Sequence, residues 1–268
     1  ADNNTAIGKD ALLANTTGTR NVAVGTYSLD ANTTANDNTA VGYNAATAIT
    51  TGVSNTAIGA TALGTLTTGS RNAALGYMAL QLQTGASDNV GIGNFAGGAV
   101  TTGDYNTLVG SLAGDGITTA SSLTAFGYRA LSAPSCTGAN NTAVGKDAML
   151  SNTTGSENTA VGTAALDANT TGVSNVALGR ASLGANTTGS SNIAVGEAAM
   201  NANTTGGNNT AVGGNALTAN TTASNNTGIG KDALKANTTG AENVAVGSAA
   251  LDAITDAEAN TAVGYQAL

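Results

Sequence analysis

Residues 158–174 read NTAVGTAALDANTTGVS, and residue 175 is Asn again. The same pattern of Asn, Thr or Val, Ala, a large apolar residue and Gly recurs along the whole chain. The motif glycines run from Gly8 to Gly264 at intervals of 17 residues, with one interval of 18 between Gly127 and Gly145. The chain is therefore one repeat copied sixteen times, and we number its positions 1 to 17 from the Asn.

A unit of 17 residues is too short for a helical-hairpin repeat, which needs more than about 30 residues. Val, Ile and Thr in the motif favour strands, and Gly at two points of the unit favours turns. The period predicts an all-β fold, a parallel β-solenoid of about sixteen coils stacked about 4.8 Å apart. We expect residues 1–268 to form a single solenoid domain with irregular coils at about 88–140 and a one-residue insertion near 133–138, beside the only proline.

Composition excludes several classes of protein. The chain has no His, a single Cys and a net charge of −8, and only 9% of its residues are charged. Without His there is no Ser-His or Cys-His pair and no His-ligated metal, so we expect no enzyme, cofactor or metal site. An acidic chain lacks the basic footprint that binds nucleic acid, and no apolar run approaches the roughly 20 residues of a membrane span.

Position 1 is Asn in fifteen repeats, with Leu123 as the exception. Stacked Asn side chains can form ladders of amide hydrogen bonds along a solenoid, so we interpret this column as structural. The segment Asn-Thr-Thr-Gly at positions 12–15 predicts a polar turn that closes the coil. The position 1 column consists of Asn4, Asn21, Asn38, Asn55, Asn72, Asn89, Asn106, Asn141, Asn158, Asn175, Asn192, Asn209, Asn226, Asn243 and Asn260.

Two apolar columns follow each other in the strand: Ala at position 3 and Val, Ile or another large apolar residue at position 4. Neighbouring side chains of a strand point to opposite faces, so one column lines the coil and the other forms an exposed apolar stripe. Such a stripe indicates an interaction surface, and we expect an obligate oligomer of parallel rods. By the same alternation, Leu at position 9 and Ala at position 11 should share a face.

The middle of the chain departs from the repeat. Between Ile49 and Pro134 the turn Asn is replaced by Ile, Leu, Gln, Val or Pro, and Gly97 and Gly114 stand where other repeats have Leu. Two interpretations are open: ordinary sequence drift, or a locally reshaped surface that carries a binding site. The first and last repeats match the consensus, which suggests a slice of a longer array or a unit that stacks end to end.

Four tyrosines directly follow the motif Gly, where we expect an outer turn: Tyr43, Tyr77, Tyr128 and Tyr265. Exposed Tyr rings can stack on sugars or contact proteins. The alternative is that they cover strand edges or fill grooves between subunits.

The core motif, as in Asn38–Gly42 and Asn158–Gly162, resembles the YadA-like heads of trimeric autotransporter adhesins, and it looks closer still to the repeat shafts of phage tail fibres. The resemblance implies left-handed parallel β-rolls, three chains around one axis, and a location outside the cell, on a cell surface or a virion. The added turn and the 17-residue unit depart from the family pattern.

The chain is therefore predicted to be a non-enzymatic fibrous surface protein, an adhesin head or tail-fibre shaft. It would present a long multivalent surface to a cell-surface glycan or protein receptor. The alternative is a structural filament or sheath subunit that polymerises with itself. A third hypothesis, an ice-binding solenoid, is suggested by the stacked threonines.

Overall fold

The computed structural model describes all residues, 1–268, and contains sixteen strands of three residues each and no helix. All strands pair in parallel, so the predicted all-β parallel solenoid is confirmed. The chain divides into two compact units, residues 1–137 and 138–268. The division falls in the segment that holds the extra residue and the only proline. No helix is long and apolar enough to cross a membrane.

In the first unit, each strand pairs with the next one along the chain, residue for residue at the 17-residue period. We number each coil after its strand. The strands are β1 (Thr5–Ile7), β2 (Val22–Val24), β3 (Thr39–Val41), β4 (Thr56–Ile58), β5 (Ala73–Leu75), β6 (Val90–Ile92), β7 (Thr107–Val109) and β8 (Thr124–Phe126).

The second unit repeats this arrangement. Ala160, for example, lies opposite Ala143 on one side and Ala177 on the other. The strands are β9 (Thr142–Val144), β10 (Thr159–Val161), β11 (Val176–Leu178), β12 (Ile193–Val195), β13 (Thr210–Val212), β14 (Thr227–Ile229), β15 (Val244–Val246) and β16 (Thr261–Val263).

The strand directs position 3 inward and position 4 outward. Ala160 is fully buried, whereas the next residue, Val161, is 38% exposed. The interior is closely packed: a Cβ on Gly228, at position 3, would lie 3.3 Å from the carbonyl oxygen of Ala233 and 3.4 Å from Cγ of Leu217. The predicted separation of the two columns is confirmed, and the narrow interior explains why the smaller side chain faces inward.

The motif Gly ends each strand in a conformation that other residues rarely adopt. All sixteen motif glycines have φ between 132° and 139°. A Cβ on Gly162 would lie 2.5 Å from the carbonyl oxygen of Gly179 in the next coil. Backbone conformation and close stacking both require glycine here, which explains the regularity of the repeat.

The turn after Gly does not continue the alternation of the strand. Ala164 and Leu166, at positions 7 and 9, have φ of 53° and 54°, in the left-handed region. Ala165 and Leu166 are both fully buried, while Ala168 at position 11 is partly exposed. The prediction that positions 9 and 11 share a face is therefore wrong, because left-handed residues turn two successive side chains toward the core.

The irregular middle segment is remodelled in the core. At position 12, where other repeats have Asn, five of the six replacing side chains are fully buried, whereas Pro134 is exposed. Leu108 takes the place of a strand Ala beside Gly97 and Gly114. The five buried substitutions thus change the packing of the interior and not the outer surface. The buried residues are Ile49, Leu66, Gln83, Val100 and Ile117.

Candidate interaction surface

The position 1 asparagines lie in the interior and connect successive coils. The backbone N–H of Asn175 donates to Oδ1 of Asn158 at 2.9 Å, and Nδ2 of Asn175 donates to the carbonyl oxygen of Gly189, 14 residues on, at 2.9 Å. One bond joins two coils and the other closes a coil on itself. Thirteen of the fifteen asparagines are buried, and Asn4 and Asn260 are partly exposed. These side chains are consequently occupied within the fold.

A second Asn ladder runs through position 12, which the sequence had suggested only as a polar turn. Nδ2 of Asn169 donates to Oδ1 of Asn152 at 2.8 Å and to the carbonyl oxygen of Gly172 at 3.1 Å. Gly172 also accepts from Nδ2 of Asn158 at 2.9 Å, so both Asn columns converge on the carbonyl at position 15. The Asn at a fixed place in the repeat was the available signal for this ladder.

The two turn threonines have different surroundings. Oγ1 of Thr187, at position 13, donates to the carbonyl oxygen of Thr204 in the next coil at 3.0 Å. The adjacent Thr188, at position 14, is exposed. The hydroxyls of the position 13 column are thus used for bonding between coils.

The outward side chains of positions 2 and 4 form what we call the strand face. None of the sixteen side chains at position 4 is buried, and in the second unit Leu178, Val212 and Ile229 are 36%, 36% and 40% exposed. At position 2 of the same unit, Ile193 is 42% exposed. The residues at both positions are Thr, Ala, Val, Ile, Leu or Phe, without a single charge. A contiguous exposed apolar surface of this kind typically marks an interaction site.

Charged residues lie on other parts of each coil. Nε of Arg71 lies 2.6 Å from Oδ1 of Asp88, both at position 17 of adjacent coils, and Arg20 and Asp37 repeat this pair. The hydrogen bond from Arg71 is the main cause that lowers the pKa of Asp88 from its ordinary value. The ion pairs join neighbouring coils and leave the strand face uncharged.

The predicted tyrosines are all exposed. Tyr43, Tyr77 and Tyr128 are 56%, 49% and 45% exposed and belong to one column of the first unit, and Tyr265 is 74% exposed in the second unit. Phe95 packs edge-on against Tyr77, with ring centroids 5.5 Å apart and an interplanar angle of 82°. This pairing was not predicted, because the two rings come from different positions of successive repeats.

No group of three or more His, Cys, Asp or Glu residues is placed to hold a metal ion, and Cys136 is buried. The outstanding features are the uncharged strand face and the aromatic column. Comparison with protein-family models, with curated proteins and with solved structures finds no match to the chain.

Proposed function

We propose that the chain is part of a non-enzymatic fibrous surface protein that assembles side by side through its strand face. The observation that carries the proposal is the outward apolar column at position 4, present in every strand of both units. Association would remove this surface from water, which contributes roughly 25 cal/mol per Å² of apolar area.

A second copy of the same chain is the partner that fits the strand face best. The face repeats every 17 residues, so only a surface with the same axial spacing matches it over many coils. The chain carries a net charge of −8, yet no carboxylate lies at positions 2 or 4. Copies packed through these positions therefore keep their like charges away from the contact, which avoids repulsion inside it.

The resemblance of the core motif to adhesin heads and tail-fibre shafts extends the proposal. It suggests three parallel chains, each wound as a left-handed roll, located outside the cell on a cell surface or a virion. Such a fibre would act as an attachment surface that gains avidity from repeated weak contacts.

Light scattering after size exclusion tests the assembly directly. We expect a mass of three times the chain mass of 25.6 kDa. A folded, soluble monomer would contradict the proposal. Very large, open-ended species that form fibres in electron micrographs would favour the self-assembling filament or sheath subunit instead.

A pair of charge substitutions locates the contact. The double variant Val161→Glu and Val212→Glu places carboxylates on the strand face at two side chains that are 38% and 36% exposed. We expect it to dissociate while keeping its circular dichroism spectrum. The control is Thr163→Glu, at an exposed position beyond the motif Gly, which should leave the mass unchanged. Equal effects of both variants would refute the strand face as the interface.

A further inference from the structure

Positions 6 and 7, which directly follow the motif Gly, differ between the two units. Coil 1 of the first unit has Lys9 and Asp10 there, but in coils 2–8 these positions contain no acidic residue and one charged residue, Arg129. In the second unit the same positions contain Lys146, Asp147, Arg180, Glu197, Lys231 and Asp232. The first unit instead carries aromatic side chains there: Tyr27, Tyr43, Tyr77, Phe95 and Tyr128.

The aromatic rings are held in place by their neighbours. Tyr77 and Phe95 form an edge-on pair, and Tyr27 and Tyr43 form another, with centroids 6.3 Å apart and an interplanar angle of 72°. About half of Tyr77 and Tyr43 nevertheless remains exposed. Rings that are ordered before a ligand arrives lose little conformational entropy on binding, which favours recognition at an exposed surface.

One row of this column combines rings with hydrogen-bonding groups. Tyr77, Asn94, Ser111 and Tyr128 occupy position 6 of four successive coils, and all four are exposed. At about 4.8 Å per coil, the two tyrosines are separated by about 14 Å, with an amide and a hydroxyl between them. The Arg129 guanidinium lies 6.0 Å from the centroid of the Tyr128 ring, at one end of the row.

We propose that this row, Tyr77 to Tyr128, binds an extended glycan chain that runs parallel to the stack of coils. Sugar rings have apolar C–H faces that stack on Tyr and hydroxyl edges that bond to amides and hydroxyls. The row offers both kinds of group, with a ring at each end and the amide and hydroxyl between them. An apolar protein partner would require a continuous apolar surface, which Asn94 and Ser111 interrupt. The inference rests on the proposed attachment function and assigns its ligand class to the first unit.

The full chain, fluorescently labelled, is applied to a printed array of linear bacterial and animal glycans, and the strongest ligand is then titrated by calorimetry. We expect Tyr77→Ala and Tyr128→Ala each to weaken binding at least tenfold. Tyr77→Phe keeps the ring and should stay within about threefold of the unmodified chain. The matched control is Tyr105→Ala, which removes a tyrosine that is 65% exposed at position 17 and should stay within twofold.

No binding to any glycan, or binding that Tyr77→Ala and Tyr128→Ala leave unchanged, would overturn the inference. Light scattering on the same samples tests the proposed assembly independently of the glycan site. A trimer that binds no glycan contradicts the glycan site alone, whereas a monomer that binds glycan through Tyr77 and Tyr128 contradicts the assembly alone.

Discussion

The side chain of Leu108 fills the space beside the Cα of Gly97 in the preceding coil, since a Cβ on Gly97 would lie 2.6 Å from Cδ1 of Leu108. Gly114, in the same coil as Leu108, faces its Cδ2 at a Cβ distance of 2.8 Å. Most coils place Leu at position 9 and Ala at position 3, and here the large side chain has moved to position 3. A large apolar side chain thus still occupies this part of the core, although both columns depart from the repeat.

This relationship predicts energetic coupling between the two sites. Leu108→Ala leaves a cavity and should lower the free energy of unfolding by about 2–5 kcal/mol. Gly97→Leu overfills the core and should cost about 1–3 kcal/mol. The double variant restores the common pairing of Ala with Leu, so its loss should be smaller than the sum. Urea denaturation of the four proteins measures the coupling, and strictly additive losses would contradict it.

The motif glycines should tolerate no side chain. Gly196→Ala introduces a Cβ 2.6 Å from the carbonyl group of Gly213 at a φ of 133°, and we expect a loss of about 3 kcal/mol or more. Gly214→Ala is the matched control, because a Cβ there meets no atom within 4 Å. It should change the stability by less than about 0.5 kcal/mol. Thermal melts compare the two variants, and equal melting temperatures would refute the argument.

The second Asn ladder should contribute measurably to stability. Nδ2 of Asn186 donates to Asn169 and to the carbonyl of Gly189, both at 3.0 Å, and its Oδ1 accepts from Asn203 at 2.8 Å. Asn186→Ala leaves buried polar groups without these partners, so we expect a loss of about 1–3 kcal/mol.

The control for the ladder is Asn201→Ala, which removes a partly exposed amide from position 10 of a coil in the same unit. It should lie within about 0.5 kcal/mol of the unmodified chain in chemical denaturation. A larger effect at Asn201 than at Asn186 would show that burial of the amide does not determine its contribution.

The ion pair of Arg71 with Asp88 predicts a pH dependence of definite sign. The pair lowers the pKa of the Asp88 carboxyl, so its contribution is present above the unfolded value of about 3.9 and is lost as the pH falls through the lower folded pKa. Carbon-13 NMR titration of the carboxyl should show this lowered pKa. Arg71→Gln should return it toward about 3.9, and a titration that the variant leaves unchanged would contradict the assigned cause.

The repeat period and the separation of the strand columns could be predicted from sequence, because both depend on residues that recur at the same position of each repeat. The φ of Gly162 and its contact with Gly179 require glycine at every seventeenth residue, and a strand must direct Ala160 and Val161 to opposite faces. The exposure of Tyr77 follows in the same way from its place after the motif Gly.

Features that depend on contacts between different positions of neighbouring coils could not be predicted from the sequence. Whether Ala160 or Val161 faces inward depends on the space inside the coil. Leu166 is buried there in a left-handed conformation that Leu seldom adopts. Two pairs of residues illustrate this. Gly97 lies beside Leu108, and Tyr77 contacts Phe95, and in each pair the two residues occupy different positions of neighbouring repeats. A pattern read within one repeat contains no information about either pair.

The 17-residue spacing of the bonds between coils has a genetic consequence. Asn152 bonds to Asn169, and Ala160 pairs with Ala177, so each coil recognises only its immediate neighbours. An in-frame gain or loss of seventeen codons within a unit therefore changes the number of coils. The remaining coils still contact each other through the same positions of the repeat. Length in this protein can be adjusted by recombination between its own repeats, without any new fold having to evolve.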